Sequence, residues 1–334
     1  MKRVNLWSVV LASMLAYVTV SCAVDPVEDS KAIQERVFNA YIQANGYGNA
    51  ETIGDSIYVI ERNGAGVGAS PVDSTYAMVR YTAKYPTGDY AAYNYDSIAV
   101  RMGTYKKNNF YGSFIWPVKM GYISDPLSDI VKTMKPGERA VAVVPPWLSN
   151  YNVSSAFSSN TSIIIYDILL EKVIDDVKEY QASLMQEFSD KYFNGMDTTK
   201  TGFYFHKFHK SENQDTITDG SSLQVRYVGR MLDGTVFDTN IEDTAKKYDL
   251  WDKASTYNAL PVLYYVNDPE KIAEESSLVQ GFCMAFTSGM TYGDKCFIFF
   301  DSDLGYGSSG SLTDGAGIPP YYPISFEIWI EDEN

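Results

Sequence analysis

The chain has 334 residues, which fits two folded units of about 150 residues each. Its 45% hydrophobic and 21% charged residues supply real cores and exclude a disordered or fibrous chain. A formal net charge of −15, from 42 acidic and 27 basic residues, argues against a surface built to neutralise phosphates, and so against a nucleic-acid partner. Three cysteines are too few for a disulfide scaffold, and 27 tyrosines suit sheet packing and aromatic binding surfaces.

The chain opens as an address. Lys2 and Arg3 precede the apolar run Val9 to Val20, which ends at Ser21-Cys22. That is a charged start, an apolar middle and a small-residue cleavage site. The run is short for a membrane-spanning helix. Thr19-Val20-Ser21-Cys22 resembles the lipobox of bacterial lipoproteins. The resemblance implies that residues 1–21 are removed and that Cys22 is lipidated. A bacterial cell-envelope location follows, on the periplasmic face or the cell surface, with the chain held to the membrane by its lipid. An ordinary secretory signal with an incidental Cys22 is the alternative. Residues 22–29 include the acidic stretch Asp25 to Asp29 and read as a solvated tether.

Two segments then share one order of elements, the signature of an internal repeat. Ile33, Val37 and Tyr41 recur at four-residue spacing before Gly46, which predicts a helix over 30–45. Val177, Tyr180, Leu184, Phe188 and Tyr192 predict a second helix over 176–193, closed by Gly195. Strands are expected after each, at 56–62 and 202–207, then at 76–81 and 223–227. A short helix near 129–134 ends in Met134-Lys135-Pro136-Gly137, and another near 281–286 is followed by Met290-Thr291-Tyr292-Gly293. Strands at 140–144 and 295–300 follow, and alternating strands at 162–170 and 324–330 close the two copies. The expected fold class is α+β: two copies of a curled antiparallel sheet over a short helix, each with an added N-terminal helix. The expected units are 30–174, a connecting helix at 175–201, and 202–334.

The second copy carries a specific pattern. Val225-Arg226-Tyr227-Val228-Gly229-Arg230 runs through a turn into Val236-Phe237-Asp238. Leu278-Val279-Gln280-Gly281-Phe282 follows, then Leu304-Gly305-Tyr306-Gly307, then Gly317-Ile318-Pro319-Pro320 and Ile324-Ser325-Phe326-Glu327. These four blocks, in this order, resemble FKBP-type peptidyl-prolyl cis-trans isomerases over about residues 202–332. The resemblance implies aromatic walls at Tyr227, Phe237, Phe282 and Phe326 around a substrate proline. It implies an apolar lining from Leu278, Val279 and Ile318, a hydroxyl from Tyr306 toward a substrate carbonyl, and a rim carboxylate at Asp238. Val262 falls where the family often has a further aromatic, and Phe282 replaces the usual floor tryptophan. The first copy is degenerate. Tyr81 keeps the strand tyrosine, Tyr95-Asp96-Ser97 is the expected stand-in for Phe237-Asp238-Thr239, and the floor falls near Leu127.

The expected activity is isomerisation of X-Pro bonds in exported proteins by the second copy, with no cofactor and no metal. Its partners are proline-containing peptide segments. A non-catalytic peptide- or protein-binding lipoprotein is the alternative, and a surface lipoprotein binding glycans or host ligands through Tyr-rich loops is a third. Other signals are weaker. Gly305-Tyr306-Gly307-Ser308-Ser309-Gly310 matches a dinucleotide fingerprint, but Ser-, Gly- and Pro-rich sequence follows instead of a helix. His206 and His209 lack a metal-ligating companion in the sequence. Cys283 and Cys296 are either buried thiols or a disulfide. The extended segments 240–258 and 311–315 border the expected cleft.

Overall fold

A computed structural model describes residues 30–332 apart from 55, 122, 150–161, 196–197, 201, 213–215 and 313–316. The expected signal peptide, Cys22 and the 22–29 tether lie outside the described residues, as does most of the 311–315 segment.

The first unit starts with α1 (Ser30–Ala44), β1 (Glu51–Ile53), β2 (Ile57–Asn63), β3 (Tyr76–Lys84) and β4 (Tyr90–Tyr93). It continues through α2 (Asp96–Met102), β5 (Phe114–Pro117), α3 (Asp125–Lys132), β6 (Arg139–Val144), α4 (Pro146–Ser149) and β7 (Ile164–Ile174). The helix α5 (Val177–Phe193) leads to β8 (Thr198–Lys200), β9 (Phe203–His209), β10 (Ser222–Met231) and β11 (Val236–Thr239). Last come α6 (Glu242–Lys247), β12 (Leu260–Leu263), α7 (Pro269–Ser276), α8 (Gln280–Met284), β13 (Lys295–Phe300) and β14 (Ile324–Ile330).

Each unit holds one seven-stranded antiparallel sheet, and the two sheets have the same order. The first runs β1-β2-β6-β7-β3-β4 with β5 on β3; the second runs β8-β9-β13-β14-β10-β11 with β12 on β10. The registers match at the centre of the two sheets. Tyr81 pairs with Ile168 as Tyr227 pairs with Ile328, and Ala142 pairs with Tyr166 as Ile298 pairs with Phe326. The turn before β6 and β13 is closed alike: Glu138 accepts from Lys135 N–H (2.9 Å), and Asp294 accepts from Thr291 N–H (2.8 Å). The repeat is therefore a repeat of structure.

Alternation explains the strands. In β14, Ile324, Phe326, Ile328 and Ile330 point to one buried face, with Glu327 and Trp329 on the other. In β7, Ile164, Tyr166, Ile168 and Leu170 do the same. Both faces are lined against α3 in the first unit and α8 in the second, where Leu127, Ile130 and Phe282 are buried.

Five expectations are corrected. The closing strand of the first unit extends four residues past Leu170, to Ile174. Strands β5 and β12 were not anticipated; each has only four residues, too few for period-2 alternation to register. The segment 240–258 contains α6, with acidic residues in its first turn and basic ones in its last, each complementing the helix dipole. Helix α1 buries Phe38 and Ile42, leaving Ile33 40% and Val37 55% exposed. Helix α5 is rotated likewise: Val177, Gln181, Met185 and Ser189 are buried and Tyr192 is exposed. A four-residue spacing marks a stripe, but two adjacent stripes carried apolar residues here, and tertiary packing selected between them.

The connecting helix α5 serves the second unit. Asp176 caps it by accepting from Lys178 N–H (2.7 Å) and Glu179 N–H (3.2 Å). Met185 packs against Tyr204 and Phe299 on the outer face of the second sheet. Buried Gln181 donates to Ser302 Oγ (3.0 Å) and accepts from Ser302 N–H (2.7 Å). The Tyr76 ring lies 5.3 Å from that of Tyr321, edge-on, which brings the first sheet against the approach to β14.

Candidate active site

The second sheet curls so that β10, β11 and β14 present aromatic rings to one another. Phe326 is the hub. Its ring lies 5.0 Å from Phe282, 5.6 Å from Phe237, 6.0 Å from Phe300 and 6.2 Å from Tyr227. Tyr227 meets Phe282 at 5.6 Å and Phe237 meets Tyr306 at 6.4 Å, both edge-to-face. A glycine makes this convergence possible. A Cβ on Gly229 would lie 2.7 Å from the Phe237 ring and 2.8 Å from Phe326.

A cavity of ≈ 910 Å³ opens in front of these rings. Tyr227, Phe237, Asp238 and Tyr306 line it, together with residues 249–252 and 255–257 of the segment after β11. Tyr227 Oη donates to Asp238 Oδ2 (2.7 Å), so the carboxylate is held at the rim. Burial, and then the Asp238 charge, pushes both the Tyr227 and Tyr306 hydroxyls up from the ordinary tyrosine value. Both phenols are therefore neutral donors at physiological pH. Among the described residues the Tyr306 hydroxyl has no hydrogen-bond partner, so a donor is offered to the cavity.

The remaining predicted residues stand behind this surface. Phe282 is 2% and Phe326 4% exposed, forming the packed rear of the recess. Val262 and Ile318 have no accessible surface and do not line the cavity; they support it from the core. Leu278 and Val279 are half-buried against the same core, at the entry to α8. Sequence reasoning missed the lining from the first unit, Tyr105 to Asn108, because nothing local marks that loop as belonging to a cleft 120 residues further on.

The first unit shows what the second retains. Tyr81 occupies the Tyr227 position, and Asn94 accepts from Tyr81 N–H (2.8 Å) as Asn240 does from Tyr227 N–H (2.9 Å). Counting from those pairs, Ala83 pairs with Ala92 where Gly229 pairs with Asp238. Ala91 and Ala92 thus stand at the Phe237 and Asp238 positions. Tyr95-Asp96-Ser97 does not; it runs into α2 instead. At the position of Val262 the first unit has Trp116, which pairs with Ala77 and packs 4.9 Å from the Tyr81 ring. The first recess has lost its wall and its carboxylate and is filled by its own indole. Leu127 lies in its core, 2% exposed.

The thiols of Cys283 and Cys296 are free and buried. Burial pushes Cys283 up to about 12 and raises Cys296 further above the ordinary thiol range. Gly305 to Gly310 follows a short 3-10 turn with no helix after it. Among the described residues, no helix is long and apolar enough to cross a membrane, and no group of three or more His, Cys, Asp or Glu is placed to hold a metal ion.

The curled sheet and the short helix behind it make each copy FKBP-like in architecture, and the aromatic recess faces a cavity in the second copy. The chain resembles FKBP-type peptidyl-prolyl isomerases in sequence as well. It is 27% identical over 135 residues to the FKBP-type 22 kDa peptidyl-prolyl cis-trans isomerase of Escherichia coli K12, covering 40% of this chain and 51% of that one. It is 26% identical over 128 residues to the macrophage infectivity potentiator of Trypanosoma cruzi, covering 38% and 51%. The chain thus spans about half the length of these relatives. No protein-family model matches it. Among solved structures, the three FKBP domains of wheat FKBP73 align over 84% of this chain and 95% of that one, at 16% identity and a TM-score of 0.30. FkpA from Escherichia coli aligns over 52% and 74%, at 18% identity and a TM-score of 0.33.

Proposed function

We propose that the second unit is a peptidyl-prolyl cis-trans isomerase acting on proline-containing segments of other proteins. The observation that carries this is one cavity on which an aromatic wall (Tyr227, Phe237), an unpartnered hydroxyl (Tyr306) and a tethered carboxylate (Asp238) meet. Rotating an X-Pro bond faces a barrier of about 18–20 kcal/mol because the amide must lose conjugation. Unassisted, this takes tens to hundreds of seconds. No nucleophile is required. The rate rises if the site favours the twisted amide over either planar form.

Phe237 and the rings behind it take the proline ring and exclude water, which otherwise stabilises the planar, charge-separated amide. Tyr306 donates to the substrate carbonyl and fixes one side of the rotating bond. Asp238, held by Tyr227, sets the polar rim. Each tenfold gain requires about 1.4 kcal/mol of preference for the twisted form. The first unit, with Ala91 and Ala92 in place of the wall and the carboxylate, is non-catalytic in this reading.

The test is a protease-free isomerisation assay on the full chain. Wild type should speed interconversion of an X-Pro peptide above buffer, and Phe237→Ala should lower the rate at least tenfold. Equal rates for the two would reject the assignment. One observation favours a second reading, a binding module without catalysis: Phe237, Phe282 and Phe326 are only 5%, 2% and 4% exposed, so the recess is shallow. That reading expects peptide binding with no change in rate.

We further propose that the chain is anchored in a bacterial envelope through a lipid on Cys22, supported by the residue pattern that ends there. Fatty-acid labelling of cells expressing the wild type but not Cys22→Ala is the expected result; equal labelling of both would contradict it.

A further inference from the structure

We propose that a groove on the first unit holds the acyl chain carried on Cys22 whenever that acyl chain is out of a membrane. This rests on the reading of Cys22 as a lipidated residue. The groove, of ≈ 640 Å³, lies between the first turns of α1 and the turn joining β3 to β4. Ile33 and Val37 line it from the helix, Tyr85 and Pro86 line it from the turn, and Pro146 and Ile163 form its buried lining. A concave site of this size and apolar character suits one small hydrophobic ligand.

Its chemistry points to hydrocarbon. No charged side chain among the described residues lines the groove, in a chain of which 21% is charged. A phosphate, a carboxylate or a charged peptide would be desolvated there with nothing to pair with. The helix is held with this side outward. The Phe38 ring lies 5.3 Å from Trp147, edge-on, and 5.8 Å from Tyr58. Ile42, one turn further on, is buried in the same cluster. With that stripe fixed against the sheet, the adjacent stripe of Ile33 and Val37 stays at the surface beside the groove. An apolar stripe left exposed along a groove marks a binding surface.

The place of the groove selects its occupant. Cys22 stands eight residues before Ser30, where α1 starts. Eight residues span at most about 28 Å, and Ile33 lies only about 5 Å along the helix from Ser30. An acyl chain on Cys22 is therefore tethered within reach of the groove and meets it at high effective concentration. The membrane competes. A bilayer covers every methylene of the acyl chain, whereas water leaves all of them exposed, so the groove fills only during passage through water.

The test feeds cells expressing the full chain a fatty acid with a photoreactive diazirine in its tail, then purifies the labelled protein. Irradiated in detergent-free buffer, wild type should cross-link within one chain, on peptides that hold Val37 and Pro86. In detergent micelles, which take the acyl chain as a bilayer does, that product should fall about tenfold. Val37→Asn and Pro86→Asn each place an amide against the acyl chain and should lower the detergent-free yield about fivefold or more. Both positions are exposed, so the melting temperature should not move. Labelled protein that cross-links elsewhere, only between two chains, or equally in both variants overturns the inference and leaves the anchoring reading standing. Wild type that takes up no label overturns both.

Discussion

Gly229 shows how much a single atom decides. With no Cβ, it lets Phe237 and Phe326 close over β10; its counterpart Ala83 has a Cβ, and there the wall residue is Ala91. Gly229→Ala should force both rings apart, cost about 1–3 kcal/mol by overpacking, and lower isomerase activity more than stability alone explains. Chemical denaturation beside the isomerisation rate checks this. Asp294 makes a different point. Its side chain has no exposure, which alone would raise its pKa. Lys207 Nζ (2.6 Å), Ser211 N–H (2.8 Å) and Thr291 outweigh burial and hold the carboxyl below its ordinary range. A depressed value in the fold means stability that is present above the unfolded value near 3.8 and lost as pH falls through the folded one. Asp294→Asn should therefore cost about 3 kcal/mol near neutral pH, the penalty for breaking a buried pair. The gap from wild type should narrow below about pH 4; a gap that is flat with pH in urea titrations would contradict this.

At the scale of elements, α8 and β13 bury Cys283 and Cys296 with their thiols well above the ordinary range. Neither should react with a thiol reagent at pH 8 in the folded chain, and both should react after unfolding; rapid native labelling would show the core is open. How the elements were legible follows from their physics. Long alternating strands such as β14 announce themselves, and Tyr227, Phe237 and Tyr306 could be placed because their motif blocks are contiguous. Strands β5 and β12 and the rotation of α1 and α5 could not, since four residues and a two-stripe helix leave the decision to tertiary packing. Tyr95-Asp96-Ser97 misled for a related reason: the aromatic–acid pair looked right, but the true counterparts, Ala91 and Ala92, are defined by register, which no local pattern encodes.

Across the whole molecule, the two copies are coupled on two sides. Phe110 and Lys107 join them over the cleft, and Tyr76 meets Tyr321 at the approach to β14, where Gln181 ties the connecting helix α5 to Ser302. Gln181→Ala would leave the buried Ser302 N–H without its acceptor, costing about 1–3 kcal/mol. Calorimetry should show the transition of the second unit moving down, and an unshifted transition would mean the junction is not structural. The duplication thus has a division of labour: one copy has filled its recess with Trp116 and faces the other's cleft, and the other keeps the recess open. The central claim is that this open recess favours a twisted imide. Two-dimensional exchange NMR on an X-Pro peptide, with the full chain at catalytic concentration, reads that claim directly. The account predicts cis-trans exchange cross-peaks that grow with wild type, weaken with Tyr306→Phe and vanish with Phe237→Ala. Exchange no faster with wild type than in buffer, while the peptide is bound, would contradict it.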